Sequence, residues 1–98
     1  MKYSEFKDQI VFVADIAEDI DDVVAIEYLH LQGVLKCVVL DGKSRDEARE
    51  KSLKDMGVTF EEQIPAGTNV VFCGGALTLV NEYIKNQPLS LLVANGGF

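Results

Sequence analysis

The sequence predicts an α/β fold, in which an open parallel sheet of about four strands carries helices on both faces. Apolar runs of strand length alternate with segments of helical pattern along the whole chain. The strand runs are apolar at nearly every position, which is typical of parallel strands buried on both faces. With 98 residues, of which 48% are hydrophobic, the chain fits a single domain spanning residues 1–98.

The first half of the chain predicts two strands joined by a helix. The first strand covers about residues 10–14, where five apolar residues follow one another. A mostly apolar segment of helical length follows at 21–31, and Gly33 is placed to end it. The second strand covers 35–40 and ends in a turn, in which Ser44 is a candidate N-cap for the next helix.

The middle of the chain is polar. Residues 45–56 carry acidic and basic side chains at helical spacing, which predicts a solvent-facing helix that Gly57 ends. Residues 58–67 are predicted to be a loop with at most a short extended piece at its start. A central strand is excluded there because Pro65 cannot donate a backbone hydrogen bond.

The last third returns to a strand, a helix and a strand. The third strand is predicted at 69–73 with a glycine turn at Gly74, and the helix at 77–85 is closed by Pro88. The fourth strand covers 89–94. Parallel strands joined by helices favour right-handed crossovers, with helices on both faces of the sheet. Because the fourth strand would be an open edge, we expect a homo-oligomer or a missing C-terminal half that covers it.

Composition and charge exclude several classes of partner. Sixteen acidic and nine basic residues give a net charge of −7, which disfavours a nucleic acid or an anionic membrane as partner. The N-terminus lacks the features of a signal peptide, and no apolar run reaches the length of a membrane span. Cys37 and Cys73 each lie in an apolar run, which indicates buried free thiols in a reducing, cytoplasmic location.

Five acids crowd into eight residues directly after the first strand. They are Asp15, Glu18, Asp19, Asp21 and Asp22. Like charges so close together require a positive partner or a raised pKa. Asp15 at the strand end and Asp22 in the first helical turn can converge, and their carboxylates suit Ca²⁺ or Mg²⁺. The alternative is that these acids are only solvated helix caps in a polar loop.

Two common aspartate motifs do not account for the cluster. Counted from Asp15, an EF-hand loop needs glycine at the sixth position and glutamate at the twelfth, where this chain has Ile20 and Ile26. A phosphatase motif of the D-x-D type needs an aspartate where this chain has Ala17.

The cluster resembles the aspartate motif of a known enzyme family. Residues 15–26, DIAEDIDDVVAI, resemble the N-terminal motif D-T-D-I-G-x-D-I-D-D-A-x-A of the inosine/uridine-preferring nucleoside hydrolases. Residues 70–79 are similar to that family's strand and turn ending in T-G-P-L-T-N, and residues 91–98 resemble its following V-V-M-G-G-A-F strand. The three matches occur in the family's order and cover its N-terminal half or less. The resemblance implies a nucleoside-hydrolase-like domain that is incomplete relative to the family.

The resemblance also implies an activity and a set of site residues. The family's enzymes are Ca²⁺-dependent and cleave the N-glycosidic bond of ribonucleosides to give ribose and the free base. Asp15 matches the metal-binding aspartate that accepts a proton from the attacking water, and Asp22 matches a second metal ligand. Asp21 matches an acceptor for a ribose hydroxyl, and the metal-binding main-chain carbonyl falls at Gly74. Lys43 stands where the family places a substrate-binding asparagine.

Two family residues have no counterpart in this chain. They are the C-terminal metal-binding aspartate and the histidine that protonates the leaving base. His30 cannot replace that histidine, because it lies on the first helix, far from the carboxyl ends of the strands. The sequence therefore predicts a hydrolase-like protein whose isolated chain is weakly active or inactive. The alternative is a non-catalytic binding or assembly module that keeps the fold and a cation or ribose pocket.

Overall fold

The protein is an alternation of strands and helices, as a computed structural model shows for residues 7–17, 20–40, 46–74, 78–89 and 91–94. The elements in chain order are β1 (Ile10–Ala14), α1 (Ile20–Leu31), β2 (Leu35–Leu40), α2 (Glu47–Asp55), β3 (Phe60–Glu61), β4 (Val70–Cys73), α3 (Thr78–Ile84) and β5 (Leu91–Ala94). The predicted α/β class is confirmed.

The central strand of the sheet is β1. Within the described ranges the sheet has five strands in the order β3-β2-β1-β4-β5, and each neighbouring pair is parallel. Val13 of β1 is in register with Val39 of β2 on one side and with Cys73 of β4 on the other. The chain adds β2 and β3 to one side of β1 and then crosses to the other side. The strand order therefore reverses between β1 and β4, which is where open α/β sheets form a ligand crevice.

Among the described residues the sheet has one strand more than the predicted number of about four, and the additional strand overlaps the short extended piece that the sequence allowed at residues 58–60. Within the predicted loop 58–67, Phe60 and Glu61 form β3, which pairs with β2 at the edge of the sheet. The Val38 N–H donates to the Thr59 carbonyl (2.8 Å), which fixes this short strand in place. Two residues are too few to give an alternating or continuous apolar pattern, so the sequence carries little signal for β3.

Helices cover both faces of the sheet, as predicted. Phe12 of β1 belongs to a buried cluster with Ile26 of α1 and Leu53 of α2. Val13 points to the opposite face, into a cluster that includes Val80 of α3. Successive residues of a strand point to opposite faces, so the apolar run of β1 supplies both clusters. This arrangement buries β1 completely and leaves its carboxyl end as the place where side chains from both sides can meet.

The N-cap of α2 differs from the prediction. Ser44 lies outside the described residues, and the cap is Asp46, whose side chain accepts a hydrogen bond from the Arg49 N–H (3.0 Å). Serine and aspartate cap helices about equally well, so a sequence that offers both does not decide between them. The ends of α1 and α2 agree better with the prediction. Gly33 and Gly57 follow these helices with φ of +74° and +98°, conformations that glycine adopts without strain.

The two cysteines are buried and free, as predicted. They lie on β2 and β4, in the cluster that packs against α3. None of the helices in the described ranges combines the length and the apolar character that crossing a lipid bilayer requires.

Candidate functional site

The turn between β1 and α1 brings two aspartates together. Asp15 directly follows β1, and Asp22 lies in the first turn of α1. Asp22 Oδ2 accepts a hydrogen bond from the Asp15 N–H (3.0 Å), so the side chain of Asp22 folds back toward the end of β1. Asp22 is only 3% exposed. The loop therefore holds a carboxylate in the interior, at the carboxyl end of the central strand.

The end of β4 meets the same carboxylate. The Gly74 N–H donates to the Val13 carbonyl (2.9 Å), which continues the pairing of β1 and β4 one residue past β4. A Cβ atom on Gly74 would lie 2.3 Å from Asp22 Oδ1 and 2.6 Å from Oδ2. No side chain fits at such distances, so the glycine lets the carboxylate lie directly against the backbone. The family resemblance implies only a carbonyl role for Gly74, whereas the close approach of Asp22 also explains why this position has no side chain.

The structure thus places Asp15, Asp22 and Gly74 at one point of the fold. Asp22 contacts the backbone at the ends of both β1 and β4, the two strands between which the strand order reverses. Asp21 lies beside this point on the exposed side of the first turn of α1. Lys43 lies outside the described residues. The roles of these residues toward a metal or a substrate stay predictions from the sequence.

The sequence pattern did not indicate that Arg49 lies near this loop. Arg49 of α2 donates from Nη1 to the carbonyl of Ile16 (2.6 Å) and to that of Ala17 (3.3 Å). Its Nε also lies 3.4 Å from Asp46 Oδ2. In the sequence, Arg49 looks like one of several charges on a polar helix. Arg49 lies in the first turn of α2, and this turn is beside the loop after β1 because β2 is a neighbour of β1 in the sheet. The sequence alone does not show which strands are neighbours.

His30 lies at the other end of the molecule, as predicted. It occupies the last turn of α1, and its Nε2 donates to the carbonyl of Met56 just after α2 (2.8 Å). In a β-α-β unit the helix runs antiparallel to the strands, so its last turn lies near their amino ends. His30 thus joins the ends of two helices, away from Asp15 and Asp22.

No family model, curated protein or solved structure matches this chain.

The resemblance to nucleoside hydrolases therefore rests on the three sequence motifs and their order alone.

The oxygen atoms near the ends of β1 and β4 are of the types that bind hard cations. The carboxylates of Asp15 and Asp22 and the main-chain carbonyl of Gly74 are the donor types that Ca²⁺ prefers. Calcium takes about six to eight oxygen ligands, so water or further residues would have to complete the shell. Among the described residues, no three histidine, cysteine or acidic side chains form a group that could hold a metal. Beyond the two carboxylates, a cation here would take its remaining ligands from main-chain oxygen, from water or from residues outside the described ranges.

Proposed function

We propose that this chain is a nucleoside N-ribosyl hydrolase-like protein, with a site for Ca²⁺ and the ribose of a ribonucleoside at the carboxyl ends of β1 and β4. The observation that carries this proposal is the position of Asp22. Its buried carboxylate contacts the backbone of Asp15 and that of Gly74. This position, at the carboxyl ends of two neighbouring parallel strands, is where a bound cation would add a positive charge beside the carboxylate that already accepts from the Asp15 N–H.

Each site residue has a role in this proposal. Asp15 and the carbonyl of Gly74 would hold the cation from the ends of β1 and β4, and Asp22 would hold it from the first turn of α1. When bound, a divalent cation lowers the pKa of its coordinated water. Asp15 would accept the proton of that water, and Asp21 would accept a hydrogen bond from a ribose hydroxyl. Lys43 is assigned to the sugar by the motif alone.

The position of His30 favours a second candidate function. It is the only histidine in the chain, and it is bound to the Met56 carbonyl away from the proposed site. No imidazole of the chain itself is then available to protonate a departing base. This observation supports a non-catalytic binding or assembly module that retains a cation or ribose pocket. In either case we expect release of base from inosine or uridine by the isolated chain to be undetectable or very slow.

Thermal unfolding with and without Ca²⁺ tests the cation site. Calcium at 100 times its dissociation constant should stabilise the chain by about 2.7 kcal/mol. Asp22→Asn keeps the shape of the side chain but removes its charge, so most of this stabilisation should disappear. Asp55→Asn is the matched control, because Asp55 pairs with Lys51 on the exposed surface of α2. An absence of any Ca²⁺-dependent shift at millimolar concentration would contradict the proposed site.

Release of free base distinguishes the two candidate functions. The purified chain is incubated with inosine or uridine and Ca²⁺, and the free base is quantified by chromatography. Binding of ribonucleoside without release supports the binding module. Calcium-dependent release at an ordinary enzymatic rate, lost in Asp15→Asn, would establish the hydrolase and overturn the expectation of a weak or inactive chain.

A further inference from the structure

We propose that Arg49 is a positioning residue for the site at the ends of β1 and β4. Its guanidinium holds the loop after β1 in the conformation that directs Asp15 toward the cation site. Removing the guanidinium weakens cation binding, even though this also removes a positive charge. The part of this inference that concerns the cation rests on the proposed function. The part that concerns the loop rests on the contacts of Arg49 alone.

The contacts of Arg49 reach the two residues after Asp15. Nη1 donates to the Ile16 carbonyl at 2.6 Å and to the Ala17 carbonyl at 3.3 Å. Two successive carbonyls are thereby fixed relative to α2. Asp15 immediately precedes them, and its own N–H is bound to Asp22 Oδ2. The loop is held at Asp15 from α1 and at Ile16 and Ala17 from α2.

The other end of the arginine is fixed as well. Asp46 caps α2 by accepting from the Arg49 N–H (3.0 Å), and its second oxygen lies 3.4 Å from Arg49 Nε. The guanidinium is planar, with donors in a fixed fork, so anchoring Nε orients Nη1. The side chains of Arg49 and Asp46 are 33% and 34% exposed, so water screens this pair only in part. Asp46 therefore aims Arg49 at the loop.

Charge and position predict effects of opposite sign on cation affinity. A guanidinium repels a nearby cation, so removing its charge should strengthen Ca²⁺ binding if only electrostatics matter. If Arg49 instead holds the loop, its removal should weaken binding, because the donor atoms are no longer held in place. The sign of the change therefore separates the two roles.

Calcium titration of three variants measures this sign. Arg49→Gln removes both the charge and the fork, whereas Arg49→Lys keeps the charge but not the fork. Lys51→Gln is the matched control, since it removes a positive charge from an exposed position on the same helix. We expect at least tenfold weaker Ca²⁺ binding by calorimetry for both Arg49 variants, and unchanged or slightly tighter binding for Lys51→Gln. Tighter binding by Arg49→Gln would overturn the cation part of the inference.

Hydrogen exchange tests the loop part without any ligand. We expect the amide of Asp15, which is hydrogen-bonded to Asp22 Oδ2, to exchange at least tenfold faster in Arg49→Gln and Arg49→Lys, with Lys51→Gln unchanged. Unchanged exchange at this amide in folded Arg49 variants would overturn the positioning role. A parent chain that binds no Ca²⁺ would refute the proposed function and the cation part together, whereas faster loop exchange would still support positioning by Arg49.

Discussion

At the scale of single residues, Gly74 sets how closely β4 and the Asp22 carboxylate approach each other. A methyl group there would overlap Asp22 Oδ1 at 2.3 Å, far inside van der Waals contact. We expect Gly74→Ala to lower the free energy of unfolding by roughly 1–3 kcal/mol, which is usual for overpacking. Calcium binding should weaken in the same variant because the carboxylate must move. Urea denaturation and calcium titration measure the two effects.

Gly33→Ala is the control for Gly74→Ala. Gly33 has a φ of +74°, and a Cβ there would meet no atom within 4 Å. The substitution should cost about 1–2 kcal/mol through backbone strain alone, and it should leave calcium affinity unchanged. Equal effects of the two variants on calcium affinity would show that the contact between Gly74 and Asp22 has no special role.

Cys37 makes stability depend on pH in alkaline solution. Burial raises the pKa of the Cys37 thiol, the carboxylate of Glu61 raises it further, and Lys36 opposes the shift. The folded chain binds the thiol proton more tightly than the unfolded chain, so the protonated thiol adds to the free energy of unfolding. This added stability is complete below about pH 8.5, the pKa of an unfolded cysteine, and is lost as the pH rises through the folded-state pKa. In urea denaturation, the fall in stability above about pH 8.5 should be shallower in Cys37→Ala, and identical slopes would contradict this assignment.

At the scale of secondary-structure elements, α2 depends on Asp46 for its first turn. Asp46→Ala removes both the N-cap and the partner of Arg49 Nε, and should lower the free energy of unfolding by about 0.5–2 kcal/mol. Asparagine caps as well as aspartate does, so Asp46→Asn should cost less. Urea denaturation of both variants checks the order. A larger loss in Asp46→Asn than in Asp46→Ala would contradict the capping role.

The elements also show what the sequence could predict. The bounds of β1 and β2 could be predicted from their apolar runs, because a strand that is buried on both faces is apolar at nearly every position. Asp15 and Asp22 could be paired from the short distance between a strand end and a helix start. The hydrogen bonds from Arg49 to the loop after β1 could not be predicted, since they depend on which strand lies beside β1. Long-range packing sets the strand order, and the residue pattern within one strand or helix does not indicate it.

At the scale of the whole molecule, β5 forms one edge of the sheet. Among the described residues it pairs only with β4. Leu91 donates its N–H to the Asn69 carbonyl (3.1 Å), so the backbone N–H and carbonyl of the next residue, Leu92, face away from β4. Leu92 is also 40% exposed. We expect self-association through this edge, visible as a concentration-dependent increase in mass by sedimentation.

Proline at two adjacent positions tests this edge. Leu92→Pro removes a donor that faces outward, so it should reduce self-association and leave most of the fold intact. Leu91→Pro removes the hydrogen bond to Asn69 and should destabilise the pairing of β4 with β5. A parent chain that sediments as a monomer at all concentrations would refute the expected association.

The reversal of strand order has a consequence for folding kinetics. Pairing of β1 with β2 joins segments close in sequence, whereas pairing of β1 with β4 brings Ile10 beside Val70. Closing the longer loop costs more entropy, so β4 should add to the sheet late. Asp22 meets Gly74 only after that step. A ligand bound where Asp22 meets Gly74 should therefore slow unfolding and leave the folding rate nearly unchanged. Such a ligand would lengthen the lifetime of the folded chain without making the chain fold faster.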